Sequence, residues 1–161
     1  YRIGDDFIPV PVQTIDMPDP HGMDILYPHA FLDEDGKHLW IESYSSDQKE
    51  TVFFRFKLPK YKESSEVALG SYDRTFRIPR KDVTDQAICM HGGKFYQIVG
   101  VHREAWLRII DPEAGSLVED ISLTRHALRY EPEAVFFNKD QLCVSFSHKG
   151  KALVYELTIL P

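Results

Sequence analysis

The chain has 161 residues, 43% apolar and 27% charged, enough apolar side chain to bury a sizeable core within one domain. Its 19 Lys and Arg against 25 Asp and Glu leave a net charge of −6, which opposes a non-specific grip on polyphosphate and sets nucleic acid aside as a partner. No apolar run comes near the roughly 20 residues of a membrane-spanning helix, so no membrane span is expected.

In chain order, the sequence begins at Tyr1 with no charged-then-apolar leader, and a processed or trimmed start is expected. Residues 1–20 read as a lead-in. Within them Phe7 to Ile15 is an extended run whose Pro9 and Pro11 suit an edge strand. Three similar units follow, at about 28–72, 85–123 and 132–160. Each has a strand led by a small residue (Ala30, Ala87, Ala134), a tight turn, a second strand, another connection and a third strand. Short runs rich in Val, Ile, Phe, Tyr and Trp between turn signals are the mark of strands, and nothing repeats with helical period. The turns are supplied by Asp35-Gly36, Gly92-Gly93, Asn138-Lys139-Asp140 and Lys149-Gly150, residues that tolerate positive φ. The roughly 50-residue spacing leaves room for a fourth strand, for which Glu66 to Ser71 and Ser116 to Leu123 are the candidates.

Four antiparallel strands per repeat of this length make the blade of a β-propeller. The predicted fold is therefore all-β, three four-stranded blades forming a partial ring, with a β-sandwich or jelly roll as the alternative. Three blades are too few to close. Missing blades on another chain or segment are expected, and the 7–15 run would be the outer strand of a preceding blade or a closing strand for the third unit.

The small-residue-led inner strand, Gly93-Lys94-Phe95-Tyr96 and the Ile110-Asp111-Pro112-x-x-Gly115 pattern resemble blades of six-bladed, TolB-like propellers. Glu131-Pro132-Glu133-Ala134 resembles the Glu-Pro-Glu start of strands in several extracellular propeller families. The resemblance covers about residues 28–160. It implies an architecture more than a function, since propellers host binding modules, hydrolases, lyases and scaffolds alike. An extracellular or periplasmic location goes with it.

In a propeller the inner strands border a central channel, and side chains at their starts converge there. Those residues are His21, Asp24 and His29 in the first unit, Asp85 and Gln86 in the second, and Arg129, Glu131 and Glu133 in the third. They are the expected ligand-binding set. Carboxylates from several blades at one mouth could also hold a hard cation such as calcium, or act as an acid and base pair on a sugar. Against this stands the ordinary use of Asp and Glu at loop ends, which is to cap turns.

Other chemistry finds little support. Cys89 and Cys143 lie in apolar runs and read as buried free thiols. The seven histidines lack zinc-site spacing, and there is no Gly-x-Ser-x-Gly elbow. No catalytic residue and no cofactor are expected. Phe53, Phe56, Phe95 and Phe136 are assigned to the core, while Trp40, Trp106, Tyr44 and Tyr72 are the aromatics most suited to display near loops. Arg80-Lys81 and the Lys57 to Lys62 stretch read as solvated loop. The expected function is non-catalytic binding of a glycan or peptide at the channel mouth. The alternatives are a glycoside hydrolase or polysaccharide lyase working through Glu131, Glu133, Asp85 or His29, and a scaffold module whose flank is buried by a partner.

Overall fold

The computed structural model describes residues 2–3, 9–10, 13–16, 26–45, 47–62, 65–124 and 130–159, which contain strands, turns and no helix. Ahead of the main sheets, β1 (Arg2–Ile3) pairs with β2 (Pro9–Val10), and β3 (Gln13–Asp16) is the next strand. The first sheet runs in the order β4 (Leu26–Leu32), β5 (His38–Tyr44), β6 (Glu50–Lys57), β8 (Tyr72–Pro79). Its connection from β6 to β8 carries β7 (Ser65–Ala68), which pairs in parallel with β3. The second sheet is a continuous meander of β9 (Asp85–His91), β10 (Lys94–Val101), β11 (Glu104–Asp111) and β12 (Ser116–Ser122). The third holds β13 (Glu131–Asn138), β14 (Gln141–His148) and β15 (Lys151–Leu157). All three are antiparallel and open, as blades are.

Turn chemistry sets these hairpins. Gly92 and Gly93 both have positive φ, as do Lys149 and Gly150, and each pair closes a two-residue connection. Such turns twist in the same sense as the strands they join. Lys139 adopts positive φ in the third inner hairpin, where no glycine is available.

The blades pack through two apolar seams. Phe31, Trp40, Phe53 and Ile78 of the first sheet meet Phe95 and Ile110 of the second, with the Phe31 and Trp40 rings set edge-on to Phe95 at 4.9 Å. Ile98, Ala105 and Leu107 of the second meet Val135, Leu142, Val144 and Phe146 of the third. The first strands of the sheets are neighbours, β4 beside β9 and β9 beside β13, while β8 touches β12 on the outside. That is the wedge geometry of blades about a common axis, and not two stacked layers. At the turn end, the Glu34 carboxylate accepts the Gly92 and Gly93 amides, both at 2.8 Å, tying the first blade to the second. The remaining face of the first sheet is covered by Leu69 and Ile15 over Ile41, Val52, Phe54 and Phe56.

Several expectations need correction. The fourth strand of the first unit is β8, not residues 66–71. The latter overlap β7, which the loop carries away to pair with β3. The third unit shows three strands among the described residues. Trp40 and Tyr44 are buried, because alternation along β5 turns both toward the second sheet, and Phe136 is 39% exposed on the outward face of the third. Phe53, Phe56 and Phe95 are core, and Cys89 and Cys143 are free thiols, with burial pushing the Cys89 thiol up to about 11.

Gly100 is the backbone position least open to change. Its φ is +145°, and an added Cβ would stand 2.1 Å from the Glu104 carbonyl oxygen and 2.7 Å from the Ala105 Cα. Backbone cannot step aside as a flexible side chain can. Gly100→Ala is expected to lower stability by roughly 3 kcal/mol or more, through strain and clash together. Gly92→Ala, with open space around it, should cost only about 1–2 kcal/mol for the left-handed conformation. Urea unfolding of the two variants checks the contrast.

Candidate ligand-binding mouth

Because β4, β9 and β13 adjoin, the ends at which they start gather His29, Asp85, Gln86, Glu131 and Glu133. His21, Asp24 and Arg129, the other expected members, lie outside the described residues. Two groups form. The Gln86 amide Nε2 donates to the Gly100 carbonyl at 2.9 Å and to Glu131 Oε1 at 3.2 Å, which joins the second sheet to the third. Glu133 is exposed beside the irregularity between Pro132 and Ala134.

The second group centres on a residue that the list of strand starts omitted. Glu42 lies on β5 between Trp40 and Tyr44, on the face turned to the second sheet, and is 1% exposed. One carboxylate oxygen accepts the Gln97 amide across the seam. The other stands 3.7 Å from His29 Nδ1. The carboxylate raises the His29 pKa above its usual value, against the lowering effect of burial. Asp85 is also buried, and neither of its oxygens receives a donor from the described protein groups. Burial first, then the nearby Glu42 carboxylate, push its pKa up to about 8. Asp85 therefore keeps its proton at neutral pH, as one member of a carboxyl pair that cannot be doubly charged in so dry a place.

Tyr44 fixes this arrangement. Its hydroxyl accepts the Asp85 backbone amide at 3.2 Å, and its ring carries the Arg80 guanidinium at 4.0 Å, a cation–π contact. Lys81 sits in the same way over Trp106 at 3.5 Å. Arg80 and Lys81 are thus structural partners of aromatic faces and not free loop charges, a correction to the sequence reading.

Tyr27 also escaped the sequence reading. It has φ +56° in a register irregularity between Leu26 and His29 and is 73% exposed. A non-glycine residue held there is a strained conformation, and such irregularities re-aim side chains. Its ring stands 6.0 Å from that of Tyr44. Sequence offered no signal for it, since a residue before proline favours extended backbone. Glu42 did carry a signal, a charge inside the apolar run Leu39-Trp40-Ile41-Glu42.

The mouth carboxylates do not form a compact metal-ligand group among the described residues. The three potential ligands that do approach one another, Asp33, Asp35 and His38, lie at the opposite end in the β4–β5 turn, where they are already engaged. Asp33 accepts Trp40 Nε1 at 2.9 Å, and Asp35 accepts the Lys37 amide at 2.7 Å and faces His38 Nδ1 at 2.6 Å. This is a turn lock.

No protein-family model matches the sequence, and no curated protein matches it. The likeness to TolB-like blades rests on the motifs quoted above, and the arrangement of the three sheets rests on the strand pairing.

The raised Asp85 and His29 pKa values carry one sign. In both cases the folded state holds a proton more tightly than the unfolded chain, so stability is greatest below the unfolded values and falls as pH rises toward the folded ones. Between pH 5 and about 8.5 the free energy of unfolding is expected to drop by roughly 2–4 kcal/mol. Asp85→Asn should flatten most of that slope. Denaturant unfolding across this range tests it, and a wild-type profile flat from pH 5 to 8.5 contradicts it.

Proposed function

We propose that the chain is a non-catalytic binding module whose ligand, a glycan or a peptide, docks at the mouth where β4, β9 and β13 begin. The observation that carries this reading is Tyr27, a strained and exposed aromatic on the same strand as His29. A flat ring displayed at the rim stacks on a sugar or peptide face, while polar groups behind it fix orientation. His29, about a third exposed, with Gln86, Glu131 and Glu133, supplies those polar groups. The set is rich in acceptors and favours a ligand rich in N–H or O–H donors.

The buried carboxyls speak for binding over catalysis. A general acid must come within about 2.6–3.2 Å of the atom it protonates. Glu42 Oε2 and both Asp85 oxygens have essentially no accessible surface, and Glu42 Oε2, 3.7 Å from His29 Nδ1, holds that ring in place. Should the mouth instead hydrolyse or cleave a polysaccharide, Glu131 and Glu133 are the carboxylates a substrate could reach. A second reading, as an assembly module, draws support from the outward face of the third sheet, where Phe136 and Val154 are 39% and 57% exposed. The TolB-like kinship and an extracellular or periplasmic setting belong to this proposal too, on the strength of the blade motifs.

Calorimetric titration of the chain with a panel of oligosaccharides and short peptides tests the reading. A ligand from the panel should bind, and Tyr27→Ala should weaken it by about tenfold or more, as loss of an aromatic anchor does. Gln86→Ala should weaken it less. Binding that ignores both substitutions would place the ligand elsewhere and remove the proposal.

A further inference from the structure

All three inner strands break register at the same end. In β4, Tyr27 and Pro28 stand between Leu26 and His29, where the facing stretch of β5 has Ser43 alone. In β9, Gln86 stands between Asp85 and Ala87, although their partners on β10, Val99 and Ile98, are consecutive. In β13, Glu133 does the same between Pro132 and Ala134, opposite Phe146 and Ser145. Each is a one-residue bulge, and each lies at the mouth. The pairings β5–β6, β10–β11 and β14–β15 run without a break. The outer strands β8 and β12 are bulged as well, at Asp73 and Val118, but beside Phe56 and Ile110, toward the opposite end. A bulge leaves one residue unpaired and re-aims its side chain, as happens next to functional sites. What the three inner bulges share is the mouth.

The side chains they present differ in kind and agree in sign. Tyr27 is 73% exposed and offers a π face. Gln86 Nε2 spends both its hydrogens, on the Gly100 carbonyl at 2.9 Å and on Glu131 Oε1 at 3.2 Å, which leaves its Oε1 as an acceptor. Glu133 is an exposed carboxylate. Ring face, amide oxygen and carboxylate each attract positive charge, and none offers an N–H. Of the described cations nearby, His29 faces Glu42 at 3.7 Å and the Arg80 guanidinium lies on the Tyr44 ring at 4.0 Å, so both are matched.

We propose that Tyr27, Gln86 and Glu133, one bulged residue from each blade, are the specificity-determining set of the mouth, and that they hold an arginine or lysine side chain of a peptide. The inference rests on the mouth being the binding site and adds the charge and class of its ligand. The cation lies against the Tyr27 ring, and its N–H groups donate to Gln86 Oε1 and to the Glu133 carboxylate. A sugar hydroxyl accepts as well as donates, and a set made of acceptors leaves its lone pairs without a partner. A peptide cation only donates.

The probes are the blocked peptide acetyl-Gly-Gly-Arg-Gly-Gly-amide and its citrulline counterpart, which keeps the shape and loses the charge. Each is titrated into the intact chain and followed by heteronuclear NMR. Saturable shifts are expected at the amides of Tyr27, Gln86 and Glu133 together, with the citrulline peptide about tenfold weaker or worse. Glu133→Gln, at an exposed position, should bring the two peptides to within about threefold of each other. Equal binding of the two peptides, a preference that survives Glu133→Gln, or shifts that omit one of the bulges would overturn the proposal. So would the absence of saturable shifts with the arginine peptide. If the neutral sugar maltohexaose then moved the same amides, the charge and class would be wrong and the mouth would stand as a binding site. Silence from both probes would remove the mouth as well.

Discussion

A carboxylate shut away from water must find compensation, and the packing of the first blade on the second is organised around supplying it for Glu42. The chain of contacts crosses the seam twice. Glu42 of the first sheet accepts the Gln97 amide of the second, and Gln97 Oε1 faces Arg108 Nη1 at 3.4 Å. Arg108, itself 1% exposed, binds Asp120 at 3.0 Å and returns to the first sheet through the Pro79 carbonyl at 2.7 Å. Removing one partner from such a buried set costs about 3–5 kcal/mol, since the other charge is left stranded. The apolar rings around it, Phe53, Phe76 and Phe95, supply most of the driving force of packing. The polar chain supplies register, because the Glu42–Gln97 and Arg108–Pro79 contacts form in one alignment of the two sheets.

The geometry of the mouth follows from that alignment. With β5 and β10 held in place, β4 and β9 start side by side, and Tyr44 can cover Asp85 from one sheet while its backbone amide comes from the other. Burial and the neighbouring Glu42 then push the Asp85 pKa up, and Glu42 raises that of His29. The strain at Tyr27 sits two residues before His29 on β4, where the surrounding sheet can hold it. The open side of the third blade is a different kind of feature. Among the described residues no strand pairs with the outer edge of β15, whereas the seam of the first two sheets is covered.

Much of the fold was legible because it is governed by local rules. Paired positive-φ turns at Gly92-Gly93 and Lys149-Gly150 fixed hairpin positions to the residue, and the repeat led by Ala30, Ala87 and Ala134 marked which strands belonged together. The fourth strand of the first unit was misplaced because Ser65–Ala68 and Tyr72–Pro79 are both strands, and only long-range pairing tells which joins β6. The mouth was half legible. Gln86 and Glu131 meet as strand starts should, but the groups around His29 and Asp85 come from β5. There Glu42 and Tyr44 look like a surface charge and a loop aromatic until a neighbouring sheet buries them. Arg80 and Lys81 misled for the same reason. Their partners, Tyr44 and Trp106, lie far away in sequence.

The central claim is that Glu42 and Gln97 act across the seam as one unit. A double-mutant cycle of Glu42→Leu and Gln97→Leu, read by equilibrium unfolding at fixed pH, measures this directly. The account predicts that the two losses fall short of additivity by about 1–3 kcal/mol, because once one partner is gone the other no longer contributes. Strict additivity would contradict it and would reduce the polar chain to two independent residues that happen to lie together.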